Sequence, residues 1–270
     1  MNMAGGSLPG KPDTPNEDWM GATLQSAVVL DGLSAPAGDT GCVHGTPWFV
    51  RSLGSHLIAA AAEPSVPLTA ALASAIGLVA DSHRASCDLE HPGTPSTTVA
   101  MVRITDDTVD YLVLADSMVM VETTEDLHVI TDTRVDQMVA DEHAEALRHR
   151  LGSREREAKL QHMIDRQRQV RNQPGGYWVA QNDPSAAAHA YVGSFPRLEF
   201  RGAALLSDGV SRIVDLYESL TWQALYDELQ NRGPDHALHQ VRTLEDEDPE
   251  GRRWPRYKRS DDATAVVVRA

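Results

Sequence analysis

A chain of 270 residues with 41% apolar residues can bury a full-sized core, as one large domain or two small ones, and general disorder is excluded. The net charge of −15 disfavours nucleic acid or anionic membrane as a partner and suits cations or basic surfaces, with plain solubility the simpler reading. No run approaches the ~18 apolar residues of a membrane span, and residues 1–15, rich in Gly and Pro, do not read as a secretory signal. Cys42 and Cys87, the only cysteines, show no disulfide spacing and fit a reducing, cytoplasmic setting.

In chain order, residues 1–15 are expected to be a flexible N-terminal segment, ahead of a single domain over 16–270. Thr23–Leu30 predicts a strand ending at Asp31. Residues 34–45 predict a loop, with Pro36, Gly38 and Gly41 as breakers. Proline suits a first helical turn, so Pro47 and Pro67 open helices running to Ala62 and His83. After a loop at Pro92–Pro95 come strands over Thr97–Ile104, Thr108–Ala115 and Ser117–Glu122, with a hairpin turn at Asp106-Asp107, and a fourth over Leu127–Thr131.

Arg134–Arg171 is a charged helical stretch interrupted near Gly152-Ser153, with Leu147, Leu160, Met163 and Ile164 in its apolar stripe. Tyr177–Ala180 reads as a short strand and Pro184–Ala190 as a turn or two of helix. Gly202–Ser207 is a strand, Leu216–Asn231 and Pro234–Leu244 are helices, and residues 243–257 are a surface loop. Ala263–Arg269 closes the chain as a strand. Strands grouped in meanders, with helices grouped apart from them, define an α+β class. Runs such as Val28-Val29-Leu30 and Val266-Val267-Val268 are apolar on both faces, as central strands covered on each side require.

Three strand-like runs meet an aspartate: Asp31-Gly32, Asp208-Gly209 and Asp261-Asp262. Carboxylates at strand ends, beside glycine that leaves room for close backbone approach, are what a hard cation needs. Two such charges ~4 Å apart repel by about 4 kcal/mol at an effective dielectric near 20, so a proton or a divalent ion must answer them. Oxygen-only ligation favours Mg²⁺ or Mn²⁺ over zinc. A single Asp-Gly is more simply a turn; it is the ordered set that favours metal. Elsewhere the plain reading wins. His236 and His239 sit on a solvated helix face, Cys42 and His44 lack a second pair for zinc and leave a buried thiol, and the arginines between Arg148 and Arg171 alternate with acids.

The order of these segments resembles the metal-dependent serine/threonine phosphatases of the protein phosphatase 2C family, of bacterial type. The matching segments are Asn16-Glu17-Asp18, Val29-Leu30-Asp31-Gly32, Pro95-Ser96-Thr97-Thr98, Ala115-Asp116-Ser117, Ser207-Asp208-Gly209 and Asp261-Asp262-Ala263-Thr264. The resemblance implies a four-layer α-β-β-α sandwich, two antiparallel sheets flanked by helices, with two Mn²⁺ or Mg²⁺ ions at one end. By the same resemblance Asp31 bridges the ions, the Gly32 carbonyl binds one, and Asp208 and Asp261 are direct ligands. Asp18 acts through ligated water, Asp116 helps hold a weaker third ion, and Thr97 or Thr98 supports the site. The implied reaction is attack of a metal-activated water on phosphoserine or phosphothreonine, with Asp31 and Asp208 central to catalysis. The implied partners are a phosphorylated protein and a serine/threonine kinase or its targets.

Two departures stand out. The family's phosphate-gripping arginine, four residues before Glu17, is Asp13 here; nearby Lys11 offers a point charge rather than a fork. The histidine that commonly follows Asp-Gly in eukaryotic members is Leu33, with His44 a candidate replacement. These losses motivate two alternatives: a catalytically weak or inactive relative acting as a metal- or partner-binding module, and a hydrolase of small phosphorylated metabolites.

Overall fold

The computed structural model describes residues 2–33 and 40–270. Among the described residues ten strands form two sheets, every strand pairing within them antiparallel. One sheet runs β2 (Trp19–Ala22), β3 (Ser26–Leu30), β4 (Val99–Ile104), β5 (Thr108–Leu114) and β8 (Tyr191–Pro196) in that spatial order. The other runs β1 (Asn2–Leu8), β10 (Ala263–Arg269), β9 (Phe200–Leu206), β6 (Met118–Thr123) and β7 (Leu127–Ile130).

Side-chain alternation explains why these strands are apolar on both faces. Ala27 and Val29 of β3 meet Val266 and Val268 of β10 between the sheets. Val28 and Leu30 point the other way, into α1 (Thr46–Ala60) and α2 (Leu68–His83). On the far side Ala265 and Val267 pack under α6 (Asp208–Asp215), α7 (Trp222–Arg232) and α8 (Pro234–Glu247). Four layers result, as the resemblance implies. The stretch between β7 and β8 forms α3 (Arg134–Met138), α4 (Ala140–Leu147) and α5 (Arg154–Val170), the last capped by the Ser153 hydroxyl on the Arg156 N–H. Among the described residues no helix is long and apolar enough to cross a membrane.

The N-terminal expectation needs correcting. Residues 2–8 are not a flexible lead-in but an edge strand, in register with β10 from Asn2 opposite Arg269 to Leu8 opposite Ala263. Main-chain pairing needs no apolar alternation, and the glycines that suggested flexibility serve packing. A Cβ on Gly5 would lie 2.7 Å from the Met20 sulfur, and one on Gly6 2.7 Å from an Asp235 carboxylate oxygen. Strands β2 and β8 and helix α6 were likewise not expected, and Tyr177–Ala180 contributes only isolated bridges. Of the expected loop over 34–45, Ser34, Pro36 and Gly38 lie outside the described residues. The Asp106-Asp107 turn is present, closed by the Thr105 N–H donating to the Thr108 carbonyl at 2.8 Å and the Thr108 N–H donating to the Thr105 hydroxyl at 2.9 Å.

Register decides where the aspartates go. Leu206 at the end of β9 pairs with Ala265 near the start of β10 and with Met118 at the start of β6. Asp208, Asp261 and Asp116 therefore emerge at one end of the sandwich. In the other sheet Val29 pairs with Ala100, and Val99 with Leu114, which brings Asp31 to that same end.

Candidate metal centre

Asp31, Gly32, Asp116, Asp208 and Asp261 line one cavity of about 290 Å³. The end of β3 is held firmly: the Asp31 carbonyl accepts Thr98 N at 2.9 Å and the Thr97 hydroxyl at 2.7 Å. The Thr98 hydroxyl accepts the Asp31 N–H and bonds the Ser117 hydroxyl, so both threonines support the aspartate. Glycine at 32 is required, since a Cβ there would sit 2.3 Å from the Glu17 carbonyl oxygen. A Cβ on Gly209 would lie 2.0 Å from the Asp262 carbonyl oxygen. Asp262 itself is structural: its carboxylate accepts Gly10 N and Glu17 N, each at 2.7 Å, and so anchors the segment that carries Asp18.

Charge is distributed unevenly over this cluster. Asp18 is buried behind the cavity lining, and neither of its carboxylate oxygens has a hydrogen-bond partner. Burial pushes its pKa up to about 8; the hydroxyls of Thr264 and Ser207 draw it back only in part, neither being well placed for a full hydrogen bond. Asp31 is raised well above the usual carboxylate range by burial and then by Asp18, Asp208, Asp261 and Asp116. Asp116, in the turn between β5 and β6, is raised to about 7 by burial and by Asp208 and Asp136.

The other side is neutralised from within. Arg212, one helical turn after Asp208, bonds the Asp208 carboxylate at 2.6 Å and Asp261 at 2.9 Å. Lys258 bonds the second Asp261 oxygen at 2.8 Å. Burial works against ionisation of Asp261, yet Arg212 and Lys258 together hold its pKa well below the ordinary value. The second terminal nitrogen of Arg212, Nη1, is buried without a partner.

The cavity residues thus test an ion in two ways. Buried, partnerless carboxylate oxygens on Asp18, the crowded Asp31 and the Gly32 backbone form an oxygen-only donor set suited to Mg²⁺ or Mn²⁺. On the Asp208–Asp261 side protein cations already occupy the carboxylates. Accordingly, among the described residues no three Asp, Glu, His or Cys side chains close tightly enough around one point to hold an ion.

All six residues of the expected ligand set come to this end of the molecule. The two substrate candidates are not among the residues that line the cavity. Lys11 lies in an exposed turn and His44 stacks on Trp48 at 4.3 Å. His236 pairs with Glu228 at 3.3 Å, far from any such role. The sequence reading missed Arg212, Lys258 and Asp136. Arg212 was legible: Asp208 and Arg212 are four apart, the spacing of a helical ion pair, but only once residues 208–215 are read as a helix.

A family model for protein phosphatase 2C matches residues 11–244. The chain belongs to the protein phosphatase 2C family, and family and fold together support a serine/threonine phosphatase function. Among solved structures it is similar to the serine/threonine phosphatase PstP/Ppp of Mycobacterium tuberculosis, at 17% identity and a TM-score of 0.58, covering 99% of this chain and 97% of that one. It is also similar to the catalytic domain of PstP in complex with two manganese ions, at 18% identity and a TM-score of 0.56, covering 99% and 97%. The phosphatase Stp1 of Staphylococcus aureus matches at 16% identity and a TM-score of 0.55, covering 99% and 94%. Comparison with curated proteins gives no match.

Proposed function

We propose that this protein hydrolyses phosphoserine and phosphothreonine in proteins, with Mn²⁺ or Mg²⁺ held by Asp18, Asp31, the Gly32 carbonyl and Asp116. The observation that carries this reading is the buried Asp18–Asp31 pair: neither carboxylate oxygen of Asp18 has a hydrogen-bond partner, and Asp18 together with Asp208, Asp261 and Asp116 crowds Asp31. When bound, the ions supply an acidified water and positive charge for the phosphoryl oxygens. Asp31, fixed by Thr97 and Thr98, orients that end of the site. Asp208 and Asp261 would complete the ligand set if they left Arg212 and Lys258. Arg212, freed of those carboxylates, then takes the part of the missing phosphate-gripping arginine from the cavity wall. A phosphorylated protein is the natural occupant, and a serine/threonine kinase or its targets the natural partners, in a cytoplasmic setting.

Release of phosphate from an aryl phosphate and a phosphothreonine peptide, with Mn²⁺ and with chelator, tests this directly. Turnover that is lost on chelation and lowered by orders of magnitude in Asp208→Asn supports it. Unchanged turnover in that variant rejects the assignment.

A second reading rests on the ion pairs of Arg212. If Arg212 and Lys258 hold Asp208 and Asp261 permanently, the protein is a catalytically weak relative acting as a metal- or partner-binding module. It then shows metal-dependent stabilisation, about 2.7 kcal/mol at a hundredfold excess over Kd, without phosphate release. Robust turnover disposes of that reading.

A further inference from the structure

Cys42 and Cys87 are 45 positions apart, and sequence spacing gave no reason to pair them. Cys42 lies in the loop between β3 and α1, and Cys87 just beyond the end of α2. The fold places their sulfurs 3.3 Å apart, and both residues are partly exposed rather than buried. The two segments are already joined, because Asp88 N donates to the Gly41 carbonyl at 2.7 Å. Glycine at 41 has φ near 72° and packs against His91, where a Cβ would lie 2.4 Å from the His91 Cβ.

The two thiols are not equivalent. Backbone N–H groups of Val43 and His44 and the Ser86 hydroxyl face the Cys87 sulfur; burial opposes them, but the thiol still titrates below its ordinary value. Cys42 is pushed the other way, by burial first and by the neighbouring Cys87. An accessible thiol favouring thiolate, beside a second thiol that does not, is the arrangement of an attacking and a resolving cysteine.

We propose that Cys87 and Cys42 form a reversible dithiol–disulfide couple, closed by exchange with a low-molecular-weight disulfide. The Cys87 thiolate attacks one sulfur of that disulfide; the new sulfur–sulfur bond forms as the old one breaks, and a small thiolate leaves and takes up a proton. Cys42 loses its proton to solvent and attacks the Cys87 sulfur, releasing the second small thiolate, which is also protonated. The two protein thiols are oxidised and one small disulfide is reduced to two thiols. The bond ties the loop after Gly32 to residues 87–94. There Thr94, a cavity-lining residue, donates its N–H to the His91 carbonyl and its hydroxyl to the Asp88 carbonyl. Oxidation would therefore brace one wall of the metal cavity.

The test uses the reduced, folded full-length chain. Incubation with glutathione disulfide, acid quenching and peptide mapping should show a Cys42–Cys87 link and the loss of two thiol hydrogens. Under native conditions at neutral pH, iodoacetamide should modify Cys87 about tenfold faster than Cys42. Cys42→Ser should accumulate a stable mixed disulfide on Cys87. Equal alkylation rates, or mixed disulfides in the wild-type chain without the internal link, would overturn the proposal. The wild-type measurements stand even if a variant folds poorly.

Discussion

Asp18 and Asp261 are the same side chain, both largely enclosed at one end of the sandwich, and they titrate in opposite directions. Asp18 rises to about 8 because burial penalises its charge and Asp262 and Asp208 add to the penalty. Asp261 falls because Arg212 and Lys258 both reach it. One half of the cluster makes no salt bridge among the described residues; the other already contains Arg212 and Lys258. Burial alone therefore does not mark a metal ligand. What separates the halves is whether the fold supplies the counter-charge itself.

The sharpest way to break this comparison is Asp31→Asn, at the centre of the unanswered half. Phosphate release should fall at least about 100-fold, and the Mn²⁺-induced rise in Tm should shrink with it; thermal melts with and without Mn²⁺ alongside the assay check both. Arg212→Gln should leave Asp208 without its ion pair and Asp261 with Lys258 alone. Metal-free stability in urea should drop by about 2–3 kcal/mol, less than for a fully buried pair because Asp208 is part exposed. Mn²⁺ should then stabilise the variant more than the wild type, and equal stabilisation would show that Arg212 does not compete with metal.

The pH dependence of the metal-free chain sharpens the same contrast. Asp18 and Asp116 have folded pKa values raised to about 8 and about 7. Their protons are therefore bound more tightly in the folded state, and stability should be highest below about pH 4 as far as these groups contribute. It should decline as pH rises toward 8. Asp261 has the opposite sign, contributing stability above its unfolded pKa that is lost in strong acid. Urea midpoints from pH 5 to 9, with and without Mn²⁺, should diverge as pH rises; parallel curves would count against ion binding by the Asp18 half. The smallest effect is expected for Asp262→Asn. Losing one of two charge-assisted backbone contacts at Gly10 and Glu17 should cost about 1–2 kcal/mol by thermal melting, without changing which residues face the cavity.

The fold was legible where local chemistry and tertiary need agree. Val266-Val267-Val268 reads as a strand buried on both faces, and β10 spans Ala263–Arg269 as expected. Prolines at 47 and 67 marked the starts of α1 and α2 to within a residue. Legibility failed for β1 and β8, whose sequences lack a strong β pattern. Asn2–Leu8 carries two glycines, and β8 is an exposed edge strand set by pairing with β5. At the site, Asp-Gly steps beside apolar runs pointed to the carboxylates, whereas Lys11 and His44 were chosen for nearness in sequence, and neither lines the cavity.

The linear order of amino acids thus carried the resemblance that implied the family and the sandwich, and it set aspartates beside turn-forming glycines, because backbone periodicity and turn chemistry act over a few residues. Only the packed molecule decided how the charges are answered, since Arg212, Lys258 and Asp261 meet through the register of β9 against β10 and the first turns of α6. The meeting of Cys42 with Cys87 likewise depends on how the loop after β3 lies against the end of α2. The Arg212–Asp261 and Cys42–Cys87 contacts link residues 49 and 45 positions apart, and no local pattern encodes them.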